Sequence, residues 1–195
     1  MSFRKEKKFR LSIFEFIEVK KLLIHKGMET LHKSRIINSL YFDTQELEMH
    51  CDSEEGSLPR KKIRIRNYPS SDDKKFYFEI KNSSVEGRFK TRKIIDKNKF
   101  DEIKKIGIYD EQYGICVPQL FVKYSREYFK VKDVRVSIDT KIEYRDYKTN
   151  FRVSDDRVIA ELKASKNKDT DELTNDFPIQ RIRFSKYCFA VESLN

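Results

Sequence analysis

Arg60, Lys62, Arg64 and Arg66 alternate through the run Arg-Lys-Lys-Ile-Arg-Ile-Arg-Asn-Tyr at residues 60–68. In a strand the two-residue side-chain period sends these four cations and Tyr68 to one face, and Lys61, Ile63, Ile65 and Asn67 to the other. Like charges stacked in this way repel one another, so the arrangement calls for a dense anion to neutralise it. A phosphate chain suits, because Arg grips phosphate oxygens bidentately and Lys acts as a movable point charge. On this reading, removing Arg64 or Arg66 leaves the fold intact or more stable, since repulsion is relieved.

The elements that must carry this charge are mostly short strands, rich in Ile, Val, Phe and Tyr, with the few glycines and prolines between them. Strands are expected near 3–11, 35–43, 60–68, 75–83, 87–95, 119–129, 133–143, 147–153 and 157–164. Ser12-Ile-Phe-Glu15 is a capping-box pattern that opens a helix reaching about His25, with Ile13, Phe16, Ile17, Leu23 and Ile24 available for packing. Further helices are expected at about 96–106 and 183–193, and a polar loop with a short helical turn at 165–176. Many strands with a few helices outside them suggest a closed antiparallel barrel or a strongly curved sheet, and the expectation is an α+β fold, a closed antiparallel β-barrel forming a single domain over residues 1–195.

Splitting the other strands into faces repeats the opening pattern. Glu6 and Lys8 oppose Phe9 and Leu11; Tyr77, Glu79 and Lys81 oppose Phe76, Phe78 and Ile80; Arg88, Lys90 and Arg92 oppose Phe89 and Thr91. Tyr124 and Arg126 share a face with Leu120 and Val122, Arg135 with Ser137 and Asp139, and Glu161 with Lys163. An ordinary barrel turns such polar faces to water. The apolar faces left over would then need more cover than three helices supply, so the charged faces are expected to point inward, as a tunnel lined by Arg and Lys.

The 195 residues carry a formal charge of +10, which favours polyanionic partners without choosing among them. Cys51, Cys116 and Cys188 are odd in number and far apart, without metal-ligand spacing, which points to a reducing, cytoplasmic compartment. The charged start, Met-Ser-Phe-Arg-Lys-Glu-Lys-Lys, lacks the apolar core of a signal peptide, and no apolar run approaches membrane-spanning length. His25, His32 and His50 read as surface or packing residues, and Cys188 as a buried small side chain. Asp43 with Thr44 is either a cap for the segment after its strand or a functional pair.

Taken together, the motifs resemble the VTC domain, the catalytic domain of polyphosphate polymerases, within the triphosphate tunnel metalloenzyme (CYTH-like) superfamily. Nine of them fall in the family's order: Glu6-Lys7-Lys8-Phe9, Ser39-Leu40-Tyr41-Phe42-Asp43-Thr44, Lys62-Ile63-Arg64-Ile65-Arg66-Asn67-Tyr68, Glu79-Ile80-Lys81, Lys90-Thr91-Arg92, Tyr124-Ser125-Arg126, Val134-Arg135-Val136-Ser137-Ile138-Asp139, Glu161-Leu162-Lys163 and Ser185-Lys186-Tyr187. The resemblance implies a basic tunnel that uses ATP to elongate inorganic polyphosphate, with Mn2+ or Mg2+ as cofactor. It implies that Arg64, Arg66, Lys81 and Arg126 act on the reacting phosphates, that Lys8, Lys62, Lys90 and Lys186 bind the chain, and that Arg92, Arg135 and Lys163 complete the lining. Glu161 would ligate the metal, with Glu6 and Glu79 holding metal-bound waters or tuning the lysine two positions away. Tyr41, Tyr68 and Tyr124 are left with two roles, nucleotide contact or support of the wall.

Phosphoryl transfer needs positioning and charge neutralisation more than covalent help, so a cage of cations with one metal suffices and no nucleophile–base pair is expected. A CYTH-type hydrolase of organic or inorganic triphosphate is the nearest alternative. Such hydrolases open with Glu-x-Glu-x-Lys, whereas this chain reads Arg4-x-Glu6-x-Lys8. A non-catalytic module for polyphosphate or another polyanion is the other alternative; nucleic acid is not an expected partner, as no RNP-like motif occurs. A membrane partner or phosphate sensor, if used, would be a separate polypeptide.

Overall fold

The computed structural model of the chain describes residues 4–70, 75–165 and 170–195. Its strands are β1 (Arg4–Leu11), β2 (Glu29–Asp43), β3 (Arg60–Asn67), β4 (Phe76–Ser84), β5 (Gly87–Ile95), β6 (Ile108–Asp110), β7 (Gly114–Val131), β8 (Val134–Asp146), β9 (Arg152–Asp155) and β10 (Val158–Ser165). The helices are α1 (Ile13–His25), α2 (Glu48–Glu55), α3 (Lys97–Ile106), α4 (Asp171–Thr174) and α5 (Lys186–Leu194). The architecture is α+β, an antiparallel ten-stranded sheet paired in the order β1-β10-β8-β7-β2-β3-β4-β5, with β6 on β7 and β9 on β8. This path is open, with β1 and β5 at its ends; the closed barrel expected from the sequence is not what the pairing shows among the described residues. Residues 166–169 of the polar loop, and the side chain of Arg4, lie outside the described residues.

By packing, the chain divides into two compact units: Met1–Arg35 with Tyr124–Ile142 and Ser154–Phe184, and Ile36–Lys123 with Glu143–Val153 and Ser185–Asn195. In the first, the capping box forms as expected: Ser12 Oγ accepts from Glu15 N (3.3 Å) and the Glu15 carboxylate accepts from Ser12 N (2.7 Å). The helix it starts lays Val19 and Leu23 against Phe9 and Leu11 of β1, Val136 and Ile138 of β8, and Ala160 and Leu162 of β10. Ile13, Ile17 and Ile24, expected to pack, are exposed instead, because the buried stripe runs through Val19 and Leu23.

The second unit repeats this plan. Leu40 and Phe42 of β2, and Ile63 and Ile65 of β3, pack with Met49 of α2 and Ile103 of α3, while Phe76, Phe78 and Ile80 of β4 lean on the same cluster. Phe76 stacks on Phe100 of α3 with ring centroids 4.3 Å apart. Gly107 ends α3 at φ +82°, where a Cβ would stand 2.8 Å from the Cys116 carbonyl oxygen, so only glycine lets the helix end so close to β7. Phe89, expected beneath cover, is partly exposed on β5, the last strand of the path. Helix α1 in the first unit, and α2 and α3 in the second, thus pack on the apolar faces of their strands.

Candidate functional site

With the apolar faces under helices, the opposite faces of the same strands would ordinarily be wet. Several of their charged residues are buried instead: Arg64 is 8% exposed, Arg66 7%, Glu79 1%, Asp139 0% and Glu161 7%. Charges withdrawn from water to this extent need partners, and each unit supplies them differently.

In the second unit the strand register sets Tyr41, Arg64, Glu79 and Arg92 side by side across β2, β3, β4 and β5. Glu79 Oε2 accepts from Arg64 Nε (2.8 Å) and Nη2 (2.6 Å), its Oε1 contacts the Lys90 ammonium, and Arg92 Nε lies 3.4 Å from Oε1. Burial alone would push the Glu79 carboxyl up; Arg64, Arg66 and Lys90 outweigh it and pull the carboxyl down to about 2. Arg64 Nη1 also donates to the Tyr41 hydroxyl (2.9 Å), and Tyr41 stacks on Tyr187 of α5 at 5.1 Å. Arg66 Nε donates to Ser39 Oγ (3.0 Å). The guanidiniums are therefore clamped before any ligand arrives. Glu79, placed at the metal by the resemblance, is held among cations here.

One step along the strands, Lys62, Lys81 and Lys90 occupy adjacent register positions on β3, β4 and β5, a like-charge row that favours an anion above it. Burial lowers the Lys90 ammonium below its usual range; Glu79 opposes this, and Arg64 and Arg66 push it further down. Lys62 Nζ donates to Ser185 Oγ (2.8 Å), the cap of α5, and lies 3.4 Å from Cys188 Sγ. Lys186 is the first residue of that helix, so its ammonium and the positive end of the helix are introduced together. Arg92 lies 3.8 Å from the Tyr77 ring centroid and 3.4 Å from the Tyr68 hydroxyl, which places Tyr68 in this face as a support for Arg92.

Arg60 departs from the expected stack. Its guanidinium donates to the Gly56 and Ser57 carbonyls (3.1 and 2.9 Å), where it closes the C-terminal end of α2. Asp43 resolves toward the structural role: its carboxylate accepts from the backbone N of Thr44, Met49 and His50 (2.8, 2.9 and 3.0 Å) and from the Tyr187 hydroxyl. Burial raises this carboxyl above its ordinary range even so.

In the first unit the pairing β1·β10·β8 brings Glu6, Lys163 and Arg135 into one row and Lys8, Glu161 and Ser137 into the next. Lys163 Nζ sits between Glu6 Oε1 (3.2 Å) and Glu161 Oε1 (3.3 Å). Arg126 forks onto Asp139, with Nη2 2.7 Å from Oδ2, lies 3.8 Å from Glu161 Oε2, and stands 5.2 Å from the Tyr124 ring centroid. Tyr124 is thus a buried wall residue under Arg126. Lys8 Nζ donates to the Phe184 carbonyl (3.0 Å), and Arg135 is exposed. Glu6 and Glu161 share one ammonium, so the same hard oxygens would take Mg2+ or Mn2+ in its place; Asp139 is committed to Arg126. A cavity lined by Lys7, Phe9, Phe177 and Arg181 opens on the other face of β1 and belongs to neither set.

Sequence reasoning did not single out Ser39, Tyr77 or Asp139 as site residues. Asp139 lies on the charged face the alternation had defined, and Ser39 is two positions from Tyr41, so period two holds the signal for both. Their partners Arg66 and Arg126 become evident only once strands are paired.

A family model described as the VTC domain matches residues 3–195. Among solved structures, a Bacillus halodurans protein named as a candidate adenylate cyclase superposes with a TM-score of 0.63 at 12% identity, covering 94% of each chain. A Hippeastrum protein named as a candidate adenylyl cyclase, and described as having a dominant triphosphatase activity, gives 0.60 at 15% identity over 98% of this chain and 96% of that one. A Vibrio parahaemolyticus protein, again named as a candidate adenylate cyclase, gives 0.55 at 15% identity over 98% of each. At these identities the likeness is one of fold. No curated protein matches the chain.

Proposed function

Since this chain belongs to the VTC domain family of the triphosphate tunnel metalloenzyme superfamily, we propose that it transfers the γ-phosphoryl group of ATP onto the end of an inorganic polyphosphate chain. The observation that carries this reading is the burial of Arg64 and Arg66 in a face where Arg64, Lys90 and Arg92 meet the Glu79 carboxylate and Lys62, Lys81 and Lys90 form the adjacent row. The donors of such a face suit phosphate oxygens, which Arg grips bidentately and Lys meets as a point charge.

In this mechanism Arg64 and Arg66, held by Tyr41, Glu79 and Ser39, stay oriented toward charge that develops on the transferring phosphoryl group. Lys62, Lys81, Lys90 and Lys186 bind flanking phosphates. Glu161 and Glu6 would hold a divalent ion, whose charge would neutralise phosphate oxygens. A terminal oxygen of the acceptor chain forms the new bond to the γ-phosphorus, the bond from that phosphorus to the bridging oxygen breaks, and ADP leaves with the electron pair. The attacking oxygen is already ionised, so no general base is required.

Hydrolysis is a second reading, supported by the adjacent carboxylates Glu6 and Glu161, which could aid metal-assisted attack by water. Arg4, standing where the hydrolases carry their first carboxylate, favours transfer. Purified protein incubated with ATP and Mn2+ or Mg2+ distinguishes the two: long phosphate chains on a gel support polymerisation, whereas ADP with orthophosphate alone replaces it with hydrolysis.

A further inference from the structure

The second unit contains a group of potential metal ligands that lies on helices rather than on the charged strands. His50 and Glu54 are four residues apart on α2, which brings their side chains to one helix face. Glu192 approaches from α5, and one ligand atom from each of the three lies within 4.8 Å of the others. The sequence had suggested only a surface or packing role for His50; its i+4 carboxylate was the signal passed over, and Glu192 is distant in sequence.

Two further observations single out this imidazole. His50 Nε2 is sealed from solvent and has no hydrogen-bond partner among the described residues. Glu192 Oε1 faces it at 4.0 Å, too far for a hydrogen bond but close to the separation of two atoms bound to a shared ion. Metal–ligand bonds of about 2.0–2.2 Å put neighbouring ligand atoms roughly 3.2–3.5 Å apart, so small carboxylate rotations close the set. The backbone amide of His50 donates to Asp43 Oδ2 (3.0 Å), which fixes this turn of α2, and the ring itself makes an edge-on contact with Tyr187 at 6.4 Å.

We propose that His50, Glu54 and Glu192 form a second divalent-metal site, distinct from the carboxylates of β1 and β10, that fastens α5 to α2. One imidazole and two carboxylates suit a first-row ion with affinity for nitrogen, Zn2+ foremost, and leave a coordination position for water. The site adjoins the phosphate-binding cations: Glu54 is hydrogen-bonded to Cys188, and Cys188 Sγ lies 3.4 Å from Lys62 Nζ. An ion here restrains the helix whose cap, Ser185, Lys62 engages.

The test uses full-length protein stripped with EDTA, loaded with Zn2+, passed through a desalting column and measured for bound metal and melting temperature. Wild type is expected to retain zinc and to melt at higher temperature as Zn2+ is added. His50→Gln and Glu192→Gln are expected to lose both the retained zinc and the thermal gain, while Glu161→Gln keeps them. Glu192 is half exposed, so its variant serves even if His50→Gln folds poorly. Equal zinc in wild type and Glu192→Gln, zinc lost only in Glu161→Gln, or no retained zinc in wild type would each overturn the proposal, and none of these results bears on the product of the ATP assay.

Discussion

The charged face of β1, β8 and β10 and that of β3, β4 and β5 are built from the same residue types, yet their balances differ. In the first, Glu6, Glu161 and Asp139 meet Lys163 and Arg126 in close pairs, so buried charge is largely settled within the protein. In the second, one buried carboxylate, Glu79, is met by three cations, Arg64, Lys90 and Arg92. On the proposed function, the first face would exchange an ammonium for a metal ion and the second would take up the phosphates.

The strongest way to break this comparison is Arg64→Ala, expected to lower kcat by on the order of 10³-fold, since a clamped guanidinium aimed at phosphate is lost. The same variant is expected to melt at lower temperature, contrary to the gain that repulsion between stacked cations would suggest. Arg64 is the main partner of buried Glu79, and stripping a buried carboxylate of its partner is costly. Unchanged turnover with a raised melting temperature would return Arg64 to a repelling stack.

Glu161→Gln comes next, with a fall in turnover of on the order of 100-fold and a flattened dependence on Mn2+ or Mg2+. A metal titration identical to that of wild type would remove the metal from the first face.

Acidification tests the second face through stability. The Glu79 carboxyl sits at about 2 when folded, below its ordinary 4.5, so its ionised form stabilises the fold fully above about pH 4.5. That contribution, roughly 3 kcal/mol, drains away as pH falls from 4.5 through 2. Chemical denaturation across this range should show Glu79→Gln weaker than wild type at neutral pH, with the gap closing toward pH 2. A gap that persists there would mean the carboxylate is not the source. Smallest is Lys81→Ala, expected to weaken triphosphate binding about 10-fold, as loss of one point charge, with the fold unaffected because Lys81 is exposed. Equal affinity by calorimetry would take Lys81 out of the row.

Local patterns in the sequence carried much of the architecture. The capping box at Ser12 and the alternation at 60–68 are each complete within a few residues, and helix and strand follow where expected. The helix α2 had no such signal. Its preceding residue, Leu47, takes a left-handed conformation without capping, and its donors are met by Asp43 from the end of β2. Only Met49 and Ser53 of α2 are buried, too few to mark a stripe. The first half of β2 is likewise exposed and shows no alternation.

What the sequence determined by itself was which side chains share a strand face, because a period of two is a property of the extended backbone. Which charge meets which was decided by tertiary structure. Arg64 and Glu79, and Lys163 and Glu6, are joined by hydrogen-bonded register between strands. A residue's alternation carries no information about the strand that will lie beside it, so the neutralisation of Arg64, and with it the sign of its effect on stability, awaited the fold.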